Sequence, residues 1–360
     1  MQRAPRQPPP GCAPDSIVLS FPVPRELAGL RLDRFVQSRI PRLSRTRANE
    51  IVRACAYHAD GRRRRPSERV RAGDLVLLVR PRFEEPDAPS EFEVLYDDEA
   101  MVVVDKPPGL PVHPSASYHR NTLTFLLRER YPDAPPHLAH RLDRETSGVL
   151  VCARTLEDER VLKKAFERRQ VDKTYLAIVR GRVETESGRI DLPLGRPDEG
   201  LHLLMEVRSD GAPARTRYRV VARAAEHTLV ALRPETGRQH QLRVHMAALG
   251  HPIVGDKLYG PEGPQPFLDY VEAGMSPELE ARLGHPRQAL HAHRLTLLHP
   301  RRGDATTVVA PLARDLQELW QRLGGAREEA VAPIPAWEEG VATAADHEGL
   351  DATAEGLAVD

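Results

Sequence analysis

Residues 83–90, FEEPDAPS, constrain the fold more than any other stretch, because they cut the chain in two. Two prolines, three acids and no apolar periodicity make this segment a linker and not part of a core. A chain of 360 residues is also long for one core, which favours two domains. The expected organisation is a proline-rich, disordered leader over 1–15, a small basic unit over 16–82, the linker, a larger domain over 91–325, and an acidic, disordered tail over 326–360.

The formal net charge of zero hides an uneven distribution. Residues 328–360 carry nine of the 52 acids and no lysine or arginine, which leaves 52 basic side chains against 43 acids in the rest of the chain. A basic body suits a polyanionic partner, and the acidic end reads as solubilising. Cys12, Cys55 and Cys152 are scattered, which argues against a disulfide framework and for a reducing, cytoplasmic setting. Residues 1–11 lack the apolar core of a signal peptide. No apolar run, Leu75–Val79 included, approaches the length that spans a bilayer. No membrane partner is expected, and a monomer is the default.

Local patterns define the first unit. Residues 16–21 read as a short strand. Leu30, Leu32, Phe35 and Val36 lie at helical spacing in LRLDRFVQSRI, a helix that Pro41 ends. Ser44 is the N-cap of a second helix, with Ile51 and Val52 inward and Arg45, Arg47 and Arg53 on the other face. A turn at Asp60-Gly61 precedes Arg62–Arg65, and VRAGDLVLLVR reads as a turn followed by a strand. Between Arg25 and Arg82 sixteen arginines face six acids, an excess suited to phosphate, with Arg45, Arg47, Arg62 and Arg63 as candidate RNA contacts. The bland alternative for 62–65 is a solvated loop. The segments RLDRFVQSRIPRLSRTRANEIVRA and DGRRRRPSERVRAGDLVLL resemble an S4 RNA-binding domain over about fifty residues, departing from it at YHADG.

The larger domain mixes strands and helices without regular βαβ alternation, so the fold class is α+β, with a mixed, mainly antiparallel sheet. Phe92, Val94 and Tyr96 alternate as a strand, Met101–Val104 form a buried one, and residues 105–109 a rigid turn. Helices are expected over 121–130, 156–169, 237–250 and 315–323, the third with Leu242, His245, Met246 and Leu249 at helical spacing. KTYLAIVRG alternates as a strand, and RTRYRVVARAAEHTLVALRPETG reads as a hairpin. LHAHRLTLLHP and DATTVVAPL form a further strand pair, and 261–288 is an insertion with one short helix.

One stretch of this domain could carry chemistry. It is His140-Arg141-Leu142-Asp143-Arg144-Glu145-Thr146-Ser147-Gly148, running into Val149-Leu150-Val151. An aspartate among arginines at the mouth of a strand is either a catalytic carboxylate kept ionised by positive charge or a structural ion pair. The spacing His137-x-x-His140-x-x-Asp143 is superficially ligand-like. Arg141, Arg144, Arg238 and Arg243 crowd the same stretches and oppose a cation. Neither a His-Glu-x-x-His helix nor a Cys-x-x-Cys pair occurs, so no metal site is expected. Phosphate-loop and dinucleotide motifs are missing, and Ser147 lacks a Gly-x-Ser-x-Gly elbow. A lone carboxylate, a tyrosine on a strand and a basic RNA-binding unit fit chemistry on a nucleoside, at the sugar C1′ or the base, without a cofactor. A folded RNA would yield such a nucleotide by flipping.

HRLDRETSGVLVCA resembles the central motif of the RluA-type pseudouridine synthases. VDKPPGLPVHPS, KTYLAIVRG, TGRQHQLRVHMAALGHPIVGDKLYG and LHAHRLTLLHP resemble further motifs of that family, over roughly residues 91–320. The resemblance implies a pseudouridine synthase catalytic domain behind an S4 module, isomerising uridine in RNA, and large-subunit ribosomal RNA above all. It implies Asp143 as the catalytic residue, Tyr175 as the tyrosine packed on a flipped uracil, and Arg243 as the partner of Asp143. Arg141 would hold backbone phosphate or fill the space left by the base, and His140, Arg238 and Gln241 complete the substrate-binding set. Two other readings stay open: a non-catalytic S4-type RNA-binding or ribosome-assembly factor, and a metal-dependent hydrolase built on the histidines.

Overall fold

The computed structural model describes residues 8–14, 16–40, 43–80, 85–115, 118–201, 203–332, 334 and 337. The start of the leader, part of the linker and the acidic stretch from 338 onward lie outside the described residues. The chain forms two compact units, Met1–Glu84 and Glu85–Asp360.

The first unit contains β1 (Ile17–Pro22), α1 (Leu32–Arg39), α2 (Arg45–Cys55), β2 (Ala56–Tyr57) and β3 (Leu75–Arg80). The strands form an antiparallel sheet in the order β1-β3-β2. Leu32, Phe35 and Val36 bury one face of α1 against Val52, Val76 and Leu78. Leu30 precedes that helix and is exposed, so it does not belong to its apolar stripe. The Ser44 hydroxyl accepts the Arg47 N–H at 3.2 Å, which satisfies a free donor in the first turn of α2. The leader is not wholly unstructured: Pro9 is buried and its carbonyl accepts the Cys12 N–H.

The second unit runs β4 (Glu93–Asp97), β5 (Met101–Lys106), α3 (Leu123–Arg130), β6 (His137–Leu138), β7 (Ser147–Ala153), α4 (Leu156–Glu167), β8 (Asp172–Arg180) and β9 (Ser187–Asp191). It continues with β10 (Leu194–Gly195), β11 (Glu206–Val207), β12 (Arg215–Arg223), β13 (His227–Pro234), α5 (Gln241–Ala248), α6 (Gln265–Ala273) and α7 (Pro277–Leu283). The last elements are β14 (Leu290–Leu298), β15 (Ala305–Val309), α8 (Arg314–Arg322) and α9 (Arg327–Val331). A ten-stranded sheet has the central order β4-β5-β7-β14-β8-β13-β12-β9, with β15 beside β14 and β6 beside β7. Its pairings are antiparallel except β7 with β14. Among the described residues no helix is long and apolar enough to cross a membrane.

Every residue of β7 is buried, because both faces of the sheet are covered there. Side chains alternate across a strand. Val149, Val151 and Ala153 therefore meet Leu162 of α4 and Leu295 and Leu297 of β14. Leu150 and Cys152 face the other way, onto Leu123 and Leu127 of α3. This continuous apolar run fixes the end of β7 at which residues 140–148 arrive.

Three expectations need correcting. The helix expected over 237–250 begins only at Gln241. His240 takes a left-handed φ of 54°, and the Gln241 side chain captures the Arg238 N–H at 3.0 Å, so residues 237–240 make a loop. The insertion holds two helices, separated at Gly274 (φ 74°) and restarted by the Ser276 cap on Leu279. The tail is structured at its beginning. Residues 327–331 form α9, Ala330 and Ile334 are buried, and the Trp337 indole donates to Thr174 Oγ1 at 3.0 Å.

Replacing Leu150 by Ala should lower the unfolding free energy by about 2–5 kcal/mol, the cost of a cavity in a close-packed core. Urea titration checks this; a loss below about 1 kcal/mol would contradict the packing.

Candidate active site

Residues 143–146 form a loop held by side chains from distant parts of the chain. The Lys106 ammonium, fully buried at the end of β5, donates to the carbonyls of Pro107, Leu110 and Arg144 at 2.7–3.0 Å. Burial lowers its pKa to about 7, and the neighbouring Arg287 adds to that. Arg287 donates to the Glu145 carbonyl at 2.9 Å, and Lys257 to the Glu145 carboxylate at 2.8 Å. Gln288 donates to Thr146 Oγ1 at 2.7 Å. Gly148 is required by both conformation and space: its φ is 108°, and a Cβ there would lie 2.2 Å from the Ala292 carbonyl oxygen.

This scaffold places the Asp143 side chain, about one-third exposed, in a cleft of about 640 Å³. Arg243, Tyr175, Arg141, Arg238 and His240 also line it. Arg243 approaches Asp143 at 3.4 Å from α5. Its fork is occupied on the other side by Asp256, at 2.7 and 2.8 Å. Asp256 is fully buried and accepts the N–H groups of Leu258 and Tyr259 as well. Burial opposes its charge, but Arg243 and these donors hold its carboxyl below the usual range. The guanidinium of Arg243 lies 5.0 Å from the Tyr259 ring centroid, and the Tyr259 hydroxyl meets His240 Nδ1 at 2.7 Å. Burial brings His240 down to about 4, with Arg243 adding to the effect.

Tyr175 stands on β8 opposite Ala292 of β14. Its hydroxyl makes no hydrogen bond with the described residues, and burial, with the nearby Asp143 charge, raises its pKa well above the usual phenol value. Arg141 is exposed and has no ion-pair partner among the described residues. The other expected substrate contacts divide. Arg238 lies at the exposed rim, donating to the Pro213 carbonyl. His140 Nε2 accepts the Val151 N–H at 3.0 Å, and its ring stacks on Phe166 at 4.4 Å. Gln241 is buried and bonded at both ends of its amide, to Thr236, Arg215 and Thr216. His140 and Gln241 therefore use their polar atoms within the protein.

His137, His140 and Asp143 do not form a metal-binding cluster. Among the described residues only Asp98, Glu99 and His299 come close enough together to hold a cation, and Arg302 already pairs with both acids. In the first unit, Arg47 pairs with Glu50 and Arg62 with Asp60, each at 2.8 Å. Arg63 lies over the Tyr57 ring, and Arg45 is exposed without a described partner. Arg64 is buried and paired with Glu68 at 2.7 Å, so residues 62–65 are not simply a solvated run.

Sequence reasoning passed over Asp256, Tyr259 and Lys106 as individuals. The signal for Asp256 was the helix arginine, which cannot be buried without a carboxylate. VGDKLYG supplies one a few residues after that helix ends.

The RNA pseudouridylate synthase family model matches residues 100–248. The ribosomal large subunit pseudouridine synthase D of Xanthomonas campestris is 40% identical over 319 residues, which is 86% of this chain and 93% of the relative. The chain belongs to the RluA-type pseudouridine synthase family. It is an RNA pseudouridine synthase. The protein of the same name from Nitrosomonas europaea is 34% identical over 85% of this chain and 88% of its own length. The solved structure of human RNA pseudouridylate synthase domain containing 4 is 30% identical, with a TM-score of 0.52 over 64% of this chain and 93% of that one.

Two histidines, His140 half-buried and His291 fully buried, should make the fold of the synthase acid-sensitive. Burial lowers both His140 and His291 to about 3. The unfolded imidazole takes up a proton near pH 6.5 and the folded one only near 3, so acid favours unfolding throughout that window. Each should remove about 1.4 kcal/mol of stability per pH unit below about 6. Urea titrations between pH 7 and 5 check this, and a flat profile would contradict it.

Proposed function

We propose that this synthase isomerises uridines of large-subunit ribosomal RNA, with Asp143 acting at the ribose of a flipped nucleotide. The supporting observation is Asp143 itself, an accessible carboxylate aimed into the cleft by a buried arginine. The names of the relatives from Xanthomonas campestris and Nitrosomonas europaea support the choice of RNA.

The reaction balances without an oxidant or reductant. The N1–C1′ bond breaks, the uracil turns, and C5 bonds to C1′. The C5 proton leaves to solvent and N1 takes one up. Asp143 acts as a nucleophile, through a covalent ester, or as a base at the sugar, through a glycal. Arg243, 3.4 Å away, orients it. Tyr175, whose hydroxyl makes no hydrogen bond with the described residues, packs on the freed uracil, and burial with the Asp143 charge keeps its hydroxyl protonated. Arg141, with no ion-pair partner among the described residues, holds backbone phosphate or fills the gap left in the RNA. Arg238 contacts the strand at the rim. The first unit serves as an S4-type RNA-binding module, with Arg45 and Arg63 the arginines most available to phosphate, and Arg47 and Arg62 available through their exposed, screened ion pairs.

Asp143→Asn should abolish tritium release from RNA labelled at uridine C5, by at least about a thousandfold, while RNA affinity stays within about threefold of wild type. Residual turnover at a tenth of wild type would overturn the role of Asp143. Wild-type protein that forms no pseudouridine in an unmodified large-subunit transcript would overturn the choice of RNA.

A further inference from the structure

A second cavity, of about 760 Å³, adjoins the cleft and shares His140 and Arg141 with it as a wall. Its charged side chains are cationic with one exception. Arg128, Arg141, Arg154 and Lys163 line it, with Glu159 the one carboxylate. Two of these charges are neutralised within the protein, since Arg154 pairs with Asp97, and Lys163 with Glu159 at 2.6 Å. Arg128 and Arg141 are exposed and have no ion-pair partner among the described residues. They remain as positive charge without an ion-pair partner in one concavity, among the described residues. His113 lines the same cavity and feels the charge of Arg141. Burial, then the charges of Arg141 and Lys163, hold it below the ordinary imidazole range. Pro135, Pro136 and Leu138 supply apolar surface in the same cavity, beside the His137 ring.

Concave, cationic and partly apolar is the chemistry of a nucleotide site: charge for the phosphate, and a flat surface for sugar and base. The volume lies within the range of small-molecule sites, and has room for a nucleotide and not only its phosphate. A strand whose target nucleotide sits in the first cavity must carry a phosphate and a neighbouring nucleotide past the shared wall. We propose that the second cavity holds the nucleotide adjoining the target in the RNA strand, with Arg128 and Arg141 on its phosphodiester and Pro135, Pro136 and His137 beneath it. This rests on the first cavity holding the target uridine.

Arg128 tests the proposal, because it is exposed on α3 and takes no part in the proposed chemistry. The full-length protein is titrated with an unmodified large-subunit ribosomal RNA transcript over a range of salt concentrations. Arg128→Ala should weaken binding about fivefold near 0.1 M salt and flatten the slope of log affinity against log salt by about 0.7, the loss of one phosphate contact on single-stranded RNA. Arg128→Lys should restore the wild-type slope, since a point charge suffices for a phosphate. The single-turnover rate at saturating RNA should stay within about twofold of wild type in both. An unchanged affinity and slope for Arg128→Ala would overturn the proposal. So would an equal effect of Arg130→Ala, an exposed arginine of the same helix that does not line the cavity. Wild-type turnover on the same transcript judges the choice of RNA separately. If it is nil, the affinity and slope still decide what the second cavity does.

Discussion

One guanidinium between two carboxylates is the interaction on which the rest of this site depends. Arg243 is buried, and a buried arginine needs a compensating charge. Asp256 provides it with a two-bonded fork and is itself fully buried. The remaining donor of Arg243 faces Asp143 at 3.4 Å. The two acids are not equivalent. Asp256 is saturated by Arg243 and two backbone N–H groups, which leaves it fixed. Asp143 has one long contact to the same arginine and an open side toward the cleft. An acid that is held but not saturated is free to meet a substrate.

The loop that carries Asp143 is fixed by contacts that are far apart in sequence. Lys106 gathers three carbonyls, Arg287 and Gln288 come from the segment before β14, and Lys257 from the turn after α5. These groups order a loop whose conformational freedom would otherwise cost about 1–2 kcal/mol per residue. Beneath it, the apolar β7 forms the rigid support, and Gly148 lets that strand approach β14 closely. The result is a loop held with the precision of a strand, which is what the role proposed for Asp143 requires.

What could be read from the sequence follows the range of the interactions. The strands read over 101–104, 149–151 and 173–181 were legible because their apolar patterns are local, and they fall within or within one residue of Met101–Lys106, Ser147–Ala153 and Asp172–Arg180. Asp143, Tyr175 and Arg243 were named from the family resemblance, and the structure brings all three to one cleft. The start of α5 was not legible, because the Gln241 side chain takes the Arg238 N–H that a longer helix would have used. Asp256 was missed because no local pattern marks a buried ion pair. Lys106 read as part of a turn, and only the fold shows the three carbonyls around it. Arg64 was hidden in a run of four arginines, and Trp337 in a tail that composition marked as acidic.

Electrostatics connects this geometry to the partner. The cleft has Arg141 exposed, Arg238 half-buried and Arg243 buried beside the acid, and in the proposed function that difference in burial separates contact with the RNA from contact with Asp143. In the proposed function Asp143 needs a guanidinium that can reach it while its fork holds Asp256, and not merely a positive charge nearby. The most direct measurement is the single-turnover rate of Arg243→Lys on a saturating large-subunit transcript, taken beside its RNA affinity and its folding stability. The expected result is a rate lower by about a hundredfold, with affinity within about threefold of wild type and the protein still folded. A rate within twofold of wild type would contradict the claim, since charge alone would then be enough.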